Sequence, residues 1–271
     1  MQSLETAFRE IDARANPVDS AAASNWPLWH PFGYEYAESS RWNCLERLYI
    51  RLFGMVDLPT RMRARLVKKT LRDIPWSTML DFGSGTGAYS LYFSRSPRVR
   101  VWGVDIHQIR IVEGLELNRK LERDRLDFVC CSSILETNRF QPNSMDVVLA
   151  VEVLQYLFDV RAGFRDIHEV LKPGGYLIAH VPLLGYRRRR ETILFDIDTL
   201  NRLIADSGLE LISLNRVFGK TASLLSGIYS YCGRSRLVTA ILFPLLLLVS
   251  LPFGGKCTNG SYCMAIARKP L

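Results

Sequence analysis

The sequence predicts a doubly wound α/β fold, a mostly parallel sheet with helices on both faces. Three observations carry this. From Thr78 onward, short β-rich apolar runs alternate with stretches of helical periodicity. One such run, Leu80-Asp81-Phe82, passes directly into three alternate glycines, Gly83, Gly85 and Gly87, and then into a helical stretch. A second run, Val101 to Val104, ends on an acid, Asp105, 18 residues after Gly87.

The elements follow in order. Strands are predicted at 78–82, 100–104, 126–130, 145–151 and 175–181, with helices near 88–95, 107–121 and 160–171. A helix at 198–206, stopped by Gly208, precedes a strand at 209–216, and the final strand is 261–268. Ahead of the sheet, residues 1–25 read as a loosely held polar arm. Residues 26–60 interleave aromatics (Trp26, Trp29, His30, Phe32, Tyr34, Tyr36, Trp42, Tyr49, Phe53) with charges, as a helical lid or as plain core packing. Arg61–Arg72 places bases around Met62, Leu66 and Leu71 and reads as an amphipathic helix with a basic face. The expected organisation is an arm (1–25), a helical cap (26–76), a core (77–217), a hydrophobic insertion (218–258) and a final core strand (259–271).

At 271 residues, 48% hydrophobic and 23% charged, the chain has the composition of a globular protein and not of a disordered one. Its net charge of +8 points to an anionic neighbour without choosing among membrane, phosphorylated substrate and nucleic acid. The basic clusters are not interleaved with aromatics as a nucleic-acid module would have them, so nucleic acid is not expected. The six cysteines form no C-x-x-C pair, which argues against a metal site or disulfide framework and for a reducing cytoplasm. Met1–Ser20 is rich in acids and lacks the apolar run of a secretory signal.

The glycine run suits any nucleotide-like ligand, because glycines permit a sharp turn and close approach while a helix N-terminus offers free N–H groups. It even fits a dinucleotide fingerprint. Asp81, two residues before Gly83, speaks against pyrophosphate and for an ammonium group. Asp105 can accept hydrogen bonds from both hydroxyls of a ribose, or serve as a helix cap. The run Leu171-Lys172-Pro173-Gly174-Gly175 reads as a helix stop before a strand.

Taken together, LDFGSGTG (80–87), GVDIH (103–107), MDVVLAVEVLQYLFD (145–159) and IHEVLKPGGYLIAHVP (167–182) resemble the class I methyltransferases of the type 11 domain family. The resemblance implies a Rossmann-like seven-stranded sheet with the last strand antiparallel, and S-adenosylmethionine as cofactor. It implies cofactor contacts from Asp81, Gly83, Gly85 and Gly87, from Asp105 on the ribose, and from the adjoining Phe82, Ser84, Ile106 and Val151. Where the family has an acid near the adenine, this chain has Cys131-Ser132-Ser133, leaving Ser132 and Ser133 for that contact. Where relatives often carry histidine after the fourth strand, it has Tyr156.

Methyl transfer from a sulfonium needs alignment and dryness first, and a general base only for a poor nucleophile. Glu152, Tyr156 and His180 fall at the carboxyl edge of the sheet, and Tyr156 and His180 are the catalytic candidates. His180, alone on an apolar strand, also reads as a core histidine. Residues 237–253 carry no charge and include Pro244 and Pro252. A single crossing there would separate two strands of one sheet, so the segment reads as a monotopic patch or an oligomer interface. With Arg187–Arg190, and with Arg234, Arg236 and Lys256 flanking the segment, membrane contact through 234–256 is expected.

The reading is therefore a methyltransferase acting on a membrane-associated lipid, isoprenoid or lipid-linked sugar, in the cytoplasm and peripherally attached to the inner face of the membrane. The alternatives are a methyltransferase for a soluble small molecule with 237–253 as dimer contact, a non-catalytic cofactor-binding protein at the membrane, and a dinucleotide oxidoreductase.

Overall fold

A computed structural model describes residues 31–135, 139–184 and 195–271. The arm at 1–25, Trp26, Trp29, His30 and the run Arg187–Arg190 lie outside the described residues. The sheet has seven strands: β1 (Thr78–Phe82), β2 (Arg100–Asp105), β3 (Leu126–Cys130), β4 (Met145–Val151), β5 (Leu171–Pro182), β6 (Glu210–Val217) and β7 (Tyr262–Arg268). Their order is β3-β2-β1-β4-β5-β7-β6, with β7 antiparallel to both its neighbours. The order reverses between β1 and β4, and ligands of open α/β sheets bind beyond the carboxyl ends of strands at such a point.

The helices are α1 (Cys44–Phe53), α2 (Leu58–Arg72), α3 (Ala88–Phe93), α4 (Gln108–Leu121), α5 (Val160–Val170), α6 (Ile197–Asp206), α7 (Lys220–Cys232) and α8 (Arg236–Val249). Alternation along each strand divides the core in two. Met79, Val101, Leu149 and Ile178 pack with α2, α3, α4, α7 and α8, while Leu80, Val104, Val148 and Leu177 pack with α5 and α6. The strand expected at 175–181 begins earlier, at Leu171. Its first residue pairs with Met145 across a register shift, and Gly174 turns the chain at φ 80°.

Helix α2 starts on Asp57, whose carboxylate accepts from the Thr60 N–H. Of its bases Lys69 and Arg72 are exposed, but others are turned onto neighbouring segments. Arg61 donates to the carbonyls of Phe32 and Phe53, Arg65 to Ser250, and Lys68 lies 4.7 Å over the Tyr92 ring. Long basic side chains bury their stems and spend their donors on neighbouring loops, so a basic helix serves here as a brace. The insertion is a helical hairpin, and α8 runs through Pro244. Proline cannot donate to the carbonyl four residues back. That carbonyl, on Ala240, accepts instead from the Tyr49 hydroxyl at 2.7 Å, which joins α1 to α8.

The cap is fastened by a buried ion pair. Glu35, on the short 3₁₀ turn Tyr34–Glu38, receives both Nε and Nη2 of Arg95, which also lies over the rings of Tyr34 and Tyr92. Removing one partner of such a pair strands the other charge. Glu35→Ala is expected to lower unfolding free energy in urea by about 3–5 kcal/mol; a loss under about 1 kcal/mol would show that this pair does not hold the cap.

Candidate cofactor and acceptor site

The glycine loop leaves β1 at Phe82 and reaches α3 through Gly83, Gly85 and Gly87, all with positive φ. The Gly83 and Ser84 N–H groups both donate to the Val104 carbonyl at 2.8 Å, which turns the loop over the end of β2. A side chain at Gly83 would strike Val153, and one at Gly87 would strike the Phe128 ring. At Gly85 the nearest atom to an added Cβ is Arg110 Nη1 at 3.6 Å, an ordinary contact with the end of a flexible side chain, so the crown of the loop is the least crowded of the three.

Asp81 is buried and accepts from Ser90 twice, from the N–H at 3.1 Å and the hydroxyl at 2.6 Å. Burial pushes its carboxyl up to about 7, against the opposing pull of the Ser90 hydrogen bonds, and the neighbouring Asp105 raises it further. Asp105 takes the Gly85 N–H on one oxygen and the His107 N–H on the other, each at 2.8 Å. It thus both orients the loop and serves the turn into α4.

These residues fit S-adenosylmethionine. A buried carboxylate with a raised pKa is one that a cationic ammonium would stabilise. Ser84 Oγ is buried with no hydrogen-bond partner among the described residues, and the loop crown beside it is the least crowded of the three glycine positions. The Phe82 ring packs in the core with α5 and α6, which leaves its main chain for a ligand. Ile106 is exposed and Val151 half-buried. Ser132 is exposed, whereas Ser133 donates its hydroxyl to Asp166 of α5.

At the acceptor edge the structure joins two residues from different strand ends. His180 is buried at the end of β5, and its Nδ1 lies 2.9 Å from Glu152 Oε1, just past β4. The Glu152 N–H donates to the His180 carbonyl at 2.9 Å. Gln155 and Arg63 of α2 approach Glu152 Oε2 at 3.4 and 3.9 Å. Tyr262 stacks on the imidazole at 5.0 Å, and Phe218 meets it edge-on at 5.5 Å. Glu152 and Phe218 both hold left-handed backbone, φ 59°, an uncommon state for residues with side chains. Such geometry persists only where surroundings enforce it. Tyr156, by contrast, is 61% exposed on the turn Leu154–Tyr156.

Three further residues reach the site without a sequence signal. The Tyr36 hydroxyl bonds Thr86 Oγ1 at 2.7 Å, placing the cap against the glycine loop. Tyr89, buried in α3, has its phenol raised by desolvation despite the nearby Arg63. Arg63 itself joins the cap to Glu152.

A family profile described as a methyltransferase domain matches residues 80–179. The phosphoethanolamine N-methyltransferase 2 of Caenorhabditis elegans is 28% identical over 112 residues, 41% of this chain and 25% of that protein. The phthiotriol/phenolphthiotriol dimycocerosates methyltransferase of Mycobacterium tuberculosis is 28% identical over 184 residues, 66% of this chain and 62% of its own length. The chain thus spans a quarter of the first relative and less than two thirds of the second. In structure, the geranyl diphosphate C-methyltransferase of Streptomyces coelicolor superposes with a TM-score of 0.57 at 19% identity, over 94% of this chain and 99% of that one. At that identity the likeness establishes the fold. Residues 80–179 match the type 11 methyltransferase domain, a class I S-adenosylmethionine-dependent methyltransferase domain, and the seven-stranded sheet that carries them has the fold of that class.

Asp81 gives a pH dependence with a definite sign. A carboxyl raised in the folded state holds its proton while the unfolded chain has lost it, so its contribution is present below the usual carboxylate value. It is lost as pH climbs from there through about 7. Urea unfolding of the cofactor-free protein across this window is expected to show that loss in the wild type and a flatter profile in Asp81→Asn. Identical profiles would place the titration on another group.

Proposed function

We propose that this protein moves a methyl group from S-adenosylmethionine to a membrane-associated acceptor, a lipid, an isoprenoid or a lipid-linked sugar. One observation carries the acceptor class. Helix α2, whose Arg63 meets Glu152 at the acceptor edge, is the helix whose Arg65 holds the greasy insertion by donating to Ser250. The exposed apolar side of α8 is therefore fixed to the mouth of the site. The relatives named for dimycocerosates and geranyl diphosphate support an apolar acceptor by analogy.

When bound, S-adenosylmethionine supplies an electrophilic methyl on a sulfonium. Asp81 and the loop crown hold its amino-acid end, and Asp105 its ribose. Glu152 fixes the imidazole of His180 through Nδ1, which leaves Nε2 as the proton-accepting nitrogen for an acceptor hydroxyl. The cap, drawn over the loop by Tyr36 and Arg95, keeps water from competing. Tyr156 lines the entrance from its exposed turn. Among the described residues no helix is long and apolar enough to cross a membrane.

Calorimetric titration is expected to show saturable binding of S-adenosylmethionine and none of NADH, with binding abolished in Asp81→Ala. Methyl-labelled cofactor incubated with a membrane lipid extract should pass label into the organic phase. His180→Asn should slow this transfer by roughly 10²–10⁴-fold with cofactor affinity retained, and Tyr156→Phe by less than about tenfold. Label found only in water-soluble products would favour a soluble acceptor, and binding without transfer from any pool would favour a non-catalytic protein.

A further inference from the structure

We propose that α1 and α8 together form one lipid-docking face that seats on an anionic bilayer, a surface to which α1 contributes as much as the insertion does. The proposal rests on the reading of a membrane-associated acceptor and extends it to a surface and a lipid charge.

Leu45, Leu48 and Leu52 stand 74%, 55% and 63% exposed on α1, at a spacing that puts them on one side of that helix. On α8, Leu237, Ile241 and Leu248 are 71%, 66% and 63% exposed, again on one side. The two stripes meet at a fixed seam. Tyr49 donates to the carbonyl that Pro244 frees, and Arg236 pairs with Glu46 at 3.1 Å. By helical geometry Leu45 and Leu52 flank Tyr49 on α1, and Leu237 lies one turn before Ala240 on α8, so each stripe borders that seam. Soluble monomers rarely expose a continuous apolar area of this kind beyond roughly 300–600 Å², and larger ones mark a partner.

Charge selects the partner. From residue 211 to the end the chain contains no Asp or Glu, but it has seven bases: Arg216, Lys220, Arg234, Arg236, Lys256, Arg268 and Lys269. Arg234, Arg236 and Lys256 bracket the uncharged run at both ends, where lipid headgroups would lie if the face entered one leaflet. A second copy of the chain would bring the same bases against these. An anionic leaflet satisfies both the apolar stripe and its basic rim.

The test is co-sedimentation of the full chain with vesicles of phosphatidylcholine alone or with phosphatidylglycerol added. Comparison is with Leu48→Glu/Leu52→Glu on α1 and Ile241→Glu on α8. The wild type is expected to bind the anionic vesicles at least tenfold better than the neutral ones. Both variants should lose at least tenfold in that binding, with calorimetric affinity for S-adenosylmethionine unchanged as proof of folding. If the α1 variant binds like wild type while Ile241→Glu does not, the shared face is overturned and membrane contact by 237–253 stands. Equal binding to both vesicle types would overturn the anionic assignment. If the wild type binds neither, and light scattering finds a dimer that the variants dissociate, the face belongs to a second copy. The membrane-associated acceptor then falls with it.

Discussion

The ring of Phe128, on β3, fills the volume that side chains at Gly87, Gly103 and Gly114 would need; an added Cβ at those positions would lie 2.3, 2.6 and 3.0 Å from it. The glycine loop, β2 and α4 therefore close on one aromatic residue, and the height of the loop above the sheet follows from it. Interiors packed to crystal density do not give way by such amounts without cost. This separates the loop glycines by cause. Gly83 is shaped by Val153 and Gly87 by Phe128, both packing partners, whereas an added Cβ at Gly85 would meet Arg110 only at ordinary contact distance, so there the left-handed backbone, φ 58°, is what calls for glycine.

Carboxylates take unlike roles around that loop because their surroundings differ. Asp105 is satisfied by two backbone N–H groups and stabilises the loop whether or not a ligand is present. Asp81 is buried with Ser90 as its hydrogen-bond donor, and among the described residues no cation offsets its desolvation. Burial is the main cause that raises its pKa, with the charge of Asp105 a smaller contribution in the same direction. A cofactor with a positive end resolves that tension, whereas a pyrophosphate would worsen it.

Much of the fold was legible because its causes are local. Strand alternation, the Gly208 stop and the strand-glycine-helix passage are written within a few residues of where they act, and the strands fall within a residue or two of expectation except at Leu171. There a register shift, a property of the β4–β5 pair and not of either strand, extends the strand backward. The basic face expected on α2 is only partly solvated for a related reason: the carbonyls that Arg61 and Arg65 reach lie on other segments, Phe32, Phe53 and Ser250, while Lys69 and Arg72 stay exposed. Glu152 and His180 were each visible as candidates, but their bond joins residues 28 apart, and the left-handed turn at Glu152 that makes it has no signature in its sequence. Tyr49 could not have been tied to Ala240, although Pro244 did announce that some carbonyl would need a donor.

The molecule is basic overall and acidic at its centre, and that division has consequences for turnover. Asp81, Asp105 and Glu152 converge on the carboxyl edges of β1, β2 and β4, while the uninterrupted basic stretch from residue 211 runs through the outer hairpin and the final strand. A sulfonium cofactor loses one positive charge when its methyl departs, so an acidic pocket holds the substrate form more tightly than the spent one. Release of spent cofactor is helped by the same field that gathers the fresh one. The outer bases act in the opposite sense, toward anions. The two regions are joined through α2, whose arginines are directed to Glu152 on one side and Ser250 on the other.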